Sequence, residues 1–209
     1  KEEWKYEAGI RIEQMLNEGR SDKALSSFSN QFFNIFPNLN ISRKFNSGSL
    51  IKLNIGRRIN RPSLGQLNPF IDITDSLNRY GGNPNLKPEL VNTVELGWGH
   101  DWSLISVNAN LFYRRGTNTI LPYSRLLPNG IIFTQPQNIG SSTSVGTEAF
   151  FTFNPGKVWN STASISAYNQ TVDGFVDNEE IYNSVFSWYM KWVNNFVFSN
   201  NLRGQLLLN

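Results

Sequence analysis

Ile105-Ser106-Val107-Asn108-Ala109-Asn110-Leu111-Phe112-Tyr113-Arg114 places Ile105, Val107, Ala109, Leu111 and Tyr113 at every second position, with Ser106, Asn108, Asn110 and Arg114 between them. Successive side chains of a β-strand point to opposite faces, so this stretch reads as a strand apolar on one side and polar on the other. The same period recurs along the chain. Trp4, Tyr6, Ala8, Ile10 and Ile12 alternate with Glu3, Lys5, Glu7, Arg11 and Glu13. Further runs hold Leu39 and Ile41; Ile51, Leu53 and Ile55; Leu90, Val94, Leu96 and Trp98; and Val145, Ala149, Phe151 and Phe153. Beyond them come Trp159, Ala163, Ile165 and Ala167; Phe186, Trp188, Met190, Trp192, Phe196 and Phe198; and a last run from Leu202. The reading is therefore all-β, an antiparallel up-and-down meander of about nine strands. Most are longer than the soluble mode of about 5–6 residues.

The connections alternate in length. Short turns are expected at Asn46-Ser47-Gly48, Gly99-His100-Asp101, Asn154-Pro155-Gly156 and Ser199-Asn200-Asn201, with long segments near 16–37, 60–88, 116–141 and 171–180. Every second connection of a meander lies at the same end, so the short turns share one end and the long loops the other. Outer-membrane barrels have this asymmetry. The polar faces favour Ser, Thr and Asn over Lys and Glu, whereas soluble outer faces carry more charge. Trp98, Trp102 and Trp159 flank short turns, as membrane-interface residues do. Alternation alone also suits a soluble β-sandwich, so a soluble glycan-binding module with Asn- and aromatic-rich loops stands as the second reading.

Composition narrows the chemistry. The 209 residues carry 19 Lys and Arg against 16 Asp and Glu, a net charge of +3, with 28 Asn, one His and no Cys. The missing Cys removes disulfides, thiolate nucleophiles and Cys-type metal sites, and His100 alone builds no multi-His centre. Arg57, Arg58 and Arg61 are the densest basic group, too few for a phosphate track, so nucleic acid is not an expected partner. No apolar run approaches the roughly 20 residues of a spanning helix, which leaves a membrane-spanning β-barrel open. Lys157 after Gly156 lacks the upstream glycine of a phosphate loop, and no nucleophile elbow occurs. An enzyme is not expected, and no cofactor is implied.

Two stretches carry a resemblance. Arg61-Pro62-Ser63-Leu64-Gly65-Gln66-Leu67-Asn68-Pro69-Phe70 and Gly82-Asn83-Pro84-Asn85-Leu86-Lys87-Pro88-Glu89, followed by Glu95-Leu96-Gly97, resemble the late-barrel signature of TonB-dependent outer-membrane receptors. The likeness runs from about Asn34 through Asn138-Ile139-Gly140 and Gly146-Thr147-Glu148, some two-thirds of the chain. It implies a barrel of about 22 strands filled by an N-terminal plug. It also implies import of a scarce nutrient across the outer membrane, driven through the TonB system acting on the plug. On that reading residues 1–209 are a fragment of the barrel wall without a plug domain, excised or processed from a longer chain. Its partners are the outer-membrane bilayer and an unspecified ligand: siderophore, glycan or peptide.

The motif also has a purely physical reading. Pro84 and Pro88 fix φ and bias Asn83 and Lys87 toward extended backbone, while Gly81 and Gly82 permit a tight turn before the Leu90 strand. Its residues (Arg61, Pro62, Asn68, Pro69, Gly82, Asn83, Pro84, Leu86, Lys87, Pro88, Glu89 and Glu95) are thus expected to act structurally. Arg57, Arg61 and Glu89 are expected to pair as an ion network near the lumen or rim. Glu13, Glu95 and Glu148 fall on polar strand faces, where hydrogen bonding to neighbours is favoured over acid–base pairing. Asp173, Asp177, Glu179 and Glu180 form a weak calcium candidate without the spacing of a helix–loop–helix site. Phe28, Phe32, Phe33, Tyr80, Tyr123 and Phe133 are loop aromatics able to stack on a ligand, though packing among loops is favoured.

Overall fold

A computed structural model describes residues 2–21, 26–176, 179–199 and 202–209, side chains excepted at 20–21 and 26–28. Its strands are β1 (Glu3–Ser21), β2 (Ser26–Lys44), β3 (Leu50–Asn60), β4 (Ile71–Asp72), β5 (Asn78–Gly81), β6 (Glu89–Asp101) and β7 (Ile105–Thr117). They continue as β8 (Ile120–Leu126), β9 (Ile132–Asn138), β10 (Ser141–Phe153), β11 (Trp159–Val176), β12 (Glu179–Ser199) and β13 (Leu202–Leu208). A one-turn helix, α1 (Leu64–Leu67), precedes β4. Nine strands form one antiparallel sheet in the order β1-β2-β3-β6-β7-β10-β11-β12-β13, and these are the nine runs of the sequence. The other four form a second sheet, β4-β5-β9-β8, inside the two long connections.

Register carries the alternation across the large sheet. Tyr6 faces Ile41, Ile41 faces Leu53, Leu53 faces Leu96 and Leu96 faces Leu111. Because each pair lies on one side of the sheet, the apolar rows fuse into a continuous outward band. The band is uncovered: Ile10 is 74% exposed and Trp188 67%. A sandwich would bury these side chains against a facing sheet. The soluble second reading is thereby overturned, since that much apolar surface requires lipid around it. On β1 the band runs from Trp4 to Ile12 and on β11 from Trp159 to Ala167, matching the roughly 9–11 residues of a tilted spanning strand.

Two expected long loops are strands. Pairing between β1 and β2 continues through Met15↔Phe32 and Asn17↔Asn30 to Ser21↔Ser26, and β11 pairs with β12 as far as Val176↔Glu179. Alternation fades there because apolar residues fall on both faces, Met15 beside Leu16, Phe32 beside Phe33 and Phe175 beside Val176, yet backbone pairing does not depend on the side-chain pattern. The expected turn at Gly99-His100-Asp101 is also strand. β6 runs through Asp101, and the reversal comes at Trp102, whose N–H donates to the Ile105 carbonyl at 2.7 Å. His100 instead faces Val107 and accepts or donates at Nδ1 with Ser49 Oγ at 2.7 Å. The turns at 45–49 and 154–158 fall where expected, and residues 200–201 lie outside the described residues.

Candidate functional site

The two motif stretches fold against each other at the loop end. Ser63 caps α1: its Oγ accepts from Gln66 N at 3.3 Å, and Gln66 Oε1 accepts from Ser63 N at 2.9 Å. The helix leaves the Gln66 and Asn68 carbonyls free to meet the second stretch. Asn83 N–H donates to Gln66 O at 2.6 Å and Gly82 N–H to Asn68 O at 2.9 Å. Gly82 lies so close to this backbone that a Cβ there would collide with both carbonyls, so only glycine fits. Asn83 Oδ1 accepts from Asn85 N at 3.0 Å, turning the chain, and Leu86 at the turn is fully buried.

A third segment closes the knot. Asn138, at the end of β9, accepts from Lys87 N at 2.8 Å and donates through Nδ2 to the Lys87 and Asn118 carbonyls at 2.9 and 2.8 Å. Its amide thereby substitutes for a strand partner beside Pro88, which has no N–H to pair. Asn83 Nδ2 reaches Pro136 O at 3.2 Å, Gln135 Nε2 reaches Gly82 O at 2.9 Å, and Asn30 Nδ2 on β2 reaches Pro84 O at 2.8 Å. Leu67, Ile131, Phe133 and Ile139 are buried nearby. This second sheet and its clamp went undetected in the sequence because single Asn and Gln side chains, without periodicity, make the joins.

Arg57, Arg61 and Glu89 do not form the expected network. Arg61 pairs with Glu13 on β1, Arg57 Nε donates to Asn92 Oδ1 at 2.7 Å, and Glu89 Oε2 accepts from Asn60 Nδ2 at 3.0 Å. The reason is strand parity: Arg57 falls on the outward side with Ile55, whereas Glu89 shares the inward parity of Val91 and Glu95. The inward face cups a groove of about 800 Å³ lined by Arg11, Asn38, Asn54, Arg58, Glu95 and Arg114. Arg114 donates to Glu95 at 2.9 Å and lies 4.1 Å over the ring of Phe112. Phe112 is buried on this polar face because Gly146 opposite it leaves room for the ring.

Glu13, Glu95 and Glu148 stand on β1, β6 and β10, the first two engaged with arginines. Asp173 accepts from Ser141 Oγ at 2.9 Å on β11, while Glu179 and Glu180 lie on β12. The acidic residues thus belong to a paired hairpin; Asp177 lies outside the described residues, and among those described no group of three or more metal-binding side chains gathers. Of the loop aromatics, Phe133 is buried, Tyr80 is exposed, Tyr123 is half-buried on β8, and Phe32 and Phe33 stand on β2; the Phe28 side chain lies outside the described residues. In the exposed 72–78 loop, bonds from the Thr74 hydroxyl and then its N–H hold Asp72 below the usual carboxyl range. Asn78 Nδ2, with the Leu77 and Asn78 N–H groups, does the same for Asp75.

Aromatics gather at the turn end. Arg43 lies 5.0 Å from the Trp4 ring and 4.6 Å from Phe45; Trp98, His100 and Trp102 contact one another; and Trp159 packs between Phe153 and Phe196. An antiparallel wall with a lipid-facing band, a polar inward groove, an aromatic girdle at its short turns and knitted long loops defines the wall of an outer-membrane β-barrel. The chain belongs to the outer membrane protein beta-barrel family, whose model matches residues 1–209, and it resides in the outer membrane.

Solved structures share the fold. The siderophore receptor PirA from Pseudomonas aeruginosa is 19% identical with a TM-score of 0.59, over 94% of this chain and 44% of that one. The copper transporter OprC is 10% identical, TM-score 0.61, over 96% and 38%. The FrpB iron transporter from Neisseria meningitidis is 10% identical, TM-score 0.55, over 92% and 30%. The chain thus spans less than half the length of each. Among curated proteins no sequence matches.

Proposed function

We propose that this chain is the wall segment of an outer-membrane receptor that imports a scarce nutrient, with a plug domain elsewhere in the parent protein and energy supplied through TonB. The observation that carries the reading is the division of the sheet: an apolar outward band, and an inward groove lined by Arg, Asn and Glu, beneath loops tied into a sheet of their own. A polar lumen suits passage of a hydrophilic solute, and a rigid loop sheet offers fixed side chains to a ligand. The structural relatives named as a siderophore receptor and as iron and copper transporters support import of a metal or metal chelate over a glycan or peptide. On this reading the motif residues Arg61 to Glu89 hold the loops and do not touch the ligand.

The test is cellular accumulation of a radiolabelled ferric siderophore, copper ion and an oligosaccharide by cells with and without the full-length protein, each repeated after collapse of the inner-membrane proton gradient. Protein-dependent uptake of a metal or chelate that stops with the gradient is the expected result. Uptake of all three solutes unaffected by the protein overturns the reading.

A further inference from the structure

The large sheet parts along one seam. Register pairing between β2 and β3 runs from Lys44↔Leu50 to Asn38↔Gly56 and stops there. Above that step β2 stays paired with β1 through Pro37, Phe36 and Ile35 to Ser26, while β3 stays paired with β6 from Arg57 to Asn60. Pro37, with no N–H to donate, stands at the first unpaired step, as proline does at a sheet edge. Farther up, side chains tie the two sides together: Arg61 reaches Glu13, and Asn30 Nδ2 reaches Pro84 O.

The seam opens at the level of the lipid. Gly56 lies six residues beyond Leu50, about 15 Å up the wall at about 3.3 Å per residue and a tilt of roughly 40°, and Ile59 lies about 23 Å up, inside an apolar band about 25 Å tall. The outward lips are Ile35, 44% exposed, and Ile55, 41% exposed, with half-buried Ile59 above. On the inward side is the groove of about 800 Å³, whose lining follows both unpaired edges, Phe36 and Pro37 on one and Arg57 to Asn60 on the other. Backbone without a strand partner is costly against lipid and is tolerated where it borders a polar cavity. Of the inward arginines of the groove, Arg11 pairs with Glu13 and Arg114 with Glu95, whereas Arg58 makes no polar contact among the described residues.

We propose that this seam is a lateral binding site for a long-chain fatty acid, its carboxylate held by Arg58 in the groove and its alkyl chain leaving between Ile35 and Ile59 into the membrane. The guanidinium and the N–H groups of the parted edges are the donors a carboxylate accepts from. An uncharged chain leaves Arg58 without an acceptor, and a short hydrophilic anion leaves the isoleucine lips uncovered; an anionic amphiphile satisfies both. The site needs only the barrel wall, so it is independent of the metal or chelate uptake proposed above.

Native mass spectrometry of the full-length protein tests this, with palmitate and hexadecanol as probes. Arg58→Gln should hold palmitate about tenfold more weakly than the parent, the usual size of one charge-assisted hydrogen bond. Lys191→Gln, which removes an inward cation on β12, should bind palmitate as the parent does. Hexadecanol, a chain of the same length without the charge, should bind the parent and Arg58→Gln alike. This chain carries no Cys, so paired cysteines report on the seam directly. Leu39→Cys/Ile55→Cys, at register partners, should oxidise to a disulfide, whereas Ile35→Cys/Ile59→Cys should not, and bridging the latter pair with a bis-maleimide should abolish palmitate binding. Equal palmitate binding by Arg58→Gln and the parent overturns the proposal. So does a disulfide in the Ile35→Cys/Ile59→Cys variant, which would mean that the two edges meet in the complete barrel.

Discussion

The indole N–H of Trp192 donates to Ser161 Oγ at 2.8 Å on the outward face of the sheet. Ser161 pairs in register with Asn194, whose Oδ1 accepts from the Trp159 indole at 3.2 Å, and both polar residues are nearly fully buried. Two polar side chains on a lipid-facing surface are thus roofed and satisfied by two tryptophans of the turn-end girdle. Trp192→Phe leaves Ser161 without its donor, and an unsatisfied buried group costs about 1–3 kcal/mol. Urea unfolding in lipid vesicles should show that loss, and Trp192→Phe combined with Ser161→Ala should restore most of it.

Gly82→Ala should loosen the loop end. The added methyl meets backbone of Gln66 and Asn68, which no side-chain rotation relieves, and overpacking of this kind costs about 1–3 kcal/mol. Trypsin should then cleave faster after Arg79, since Arg61 and Lys87 are each followed by a proline that blocks cleavage. Cleavage at the parental rate would contradict the tight approach of the two stretches.

Asn138→Asp tests the clamp on Lys87. The carboxylate still accepts from Lys87 N–H but cannot donate to the Lys87 and Asn118 carbonyls. Losing two net hydrogen bonds of about 1 kcal/mol each should speed amide exchange across 83–88 and 118–120 while leaving exchange within β11 and β12 unchanged.

Acid should release the 72–78 loop before the sheet. Asp72 and Asp75 titrate below the ordinary carboxyl value of 3.8 when folded, so their contribution to loop order is present above that value. It is lost as pH falls through their lower folded values, because the protonated acids no longer accept these bonds as anions. Amide exchange at Thr74, Leu77 and Asn78, measured from pH 5 downward and corrected for intrinsic rates, should rise in that window. Asp72→Asn with Asp75→Asn should remove the pH dependence.

The lipid-facing rows were legible because period two is imposed locally, residue by residue, on every strand that has one wet and one greasy side. Ile105 to Tyr113 announce their face without any knowledge of neighbours. Where apolar residues occupy neighbouring positions, as at Met15-Leu16, Phe32-Phe33 and Phe175-Val176, the period-two signal vanishes although pairing continues, and strands read as loops. The motif around Gly82 was legible as a rigid turn, since Pro and Gly act on their own backbone.

What the sequence alone determined, then, is the alternation, the strand count of the large sheet and the end at which the long connections gather. Only the tertiary structure decided that Arg57 parts from Arg58 and Arg61, that Asn138 closes on Lys87, and that Ser161 and Asn194 lie beneath Trp192 and Trp159. Side-chain direction along one strand follows from local chain geometry. Partnership between strands depends on register, which is set by the sum of all pairings at once and is written in no single stretch.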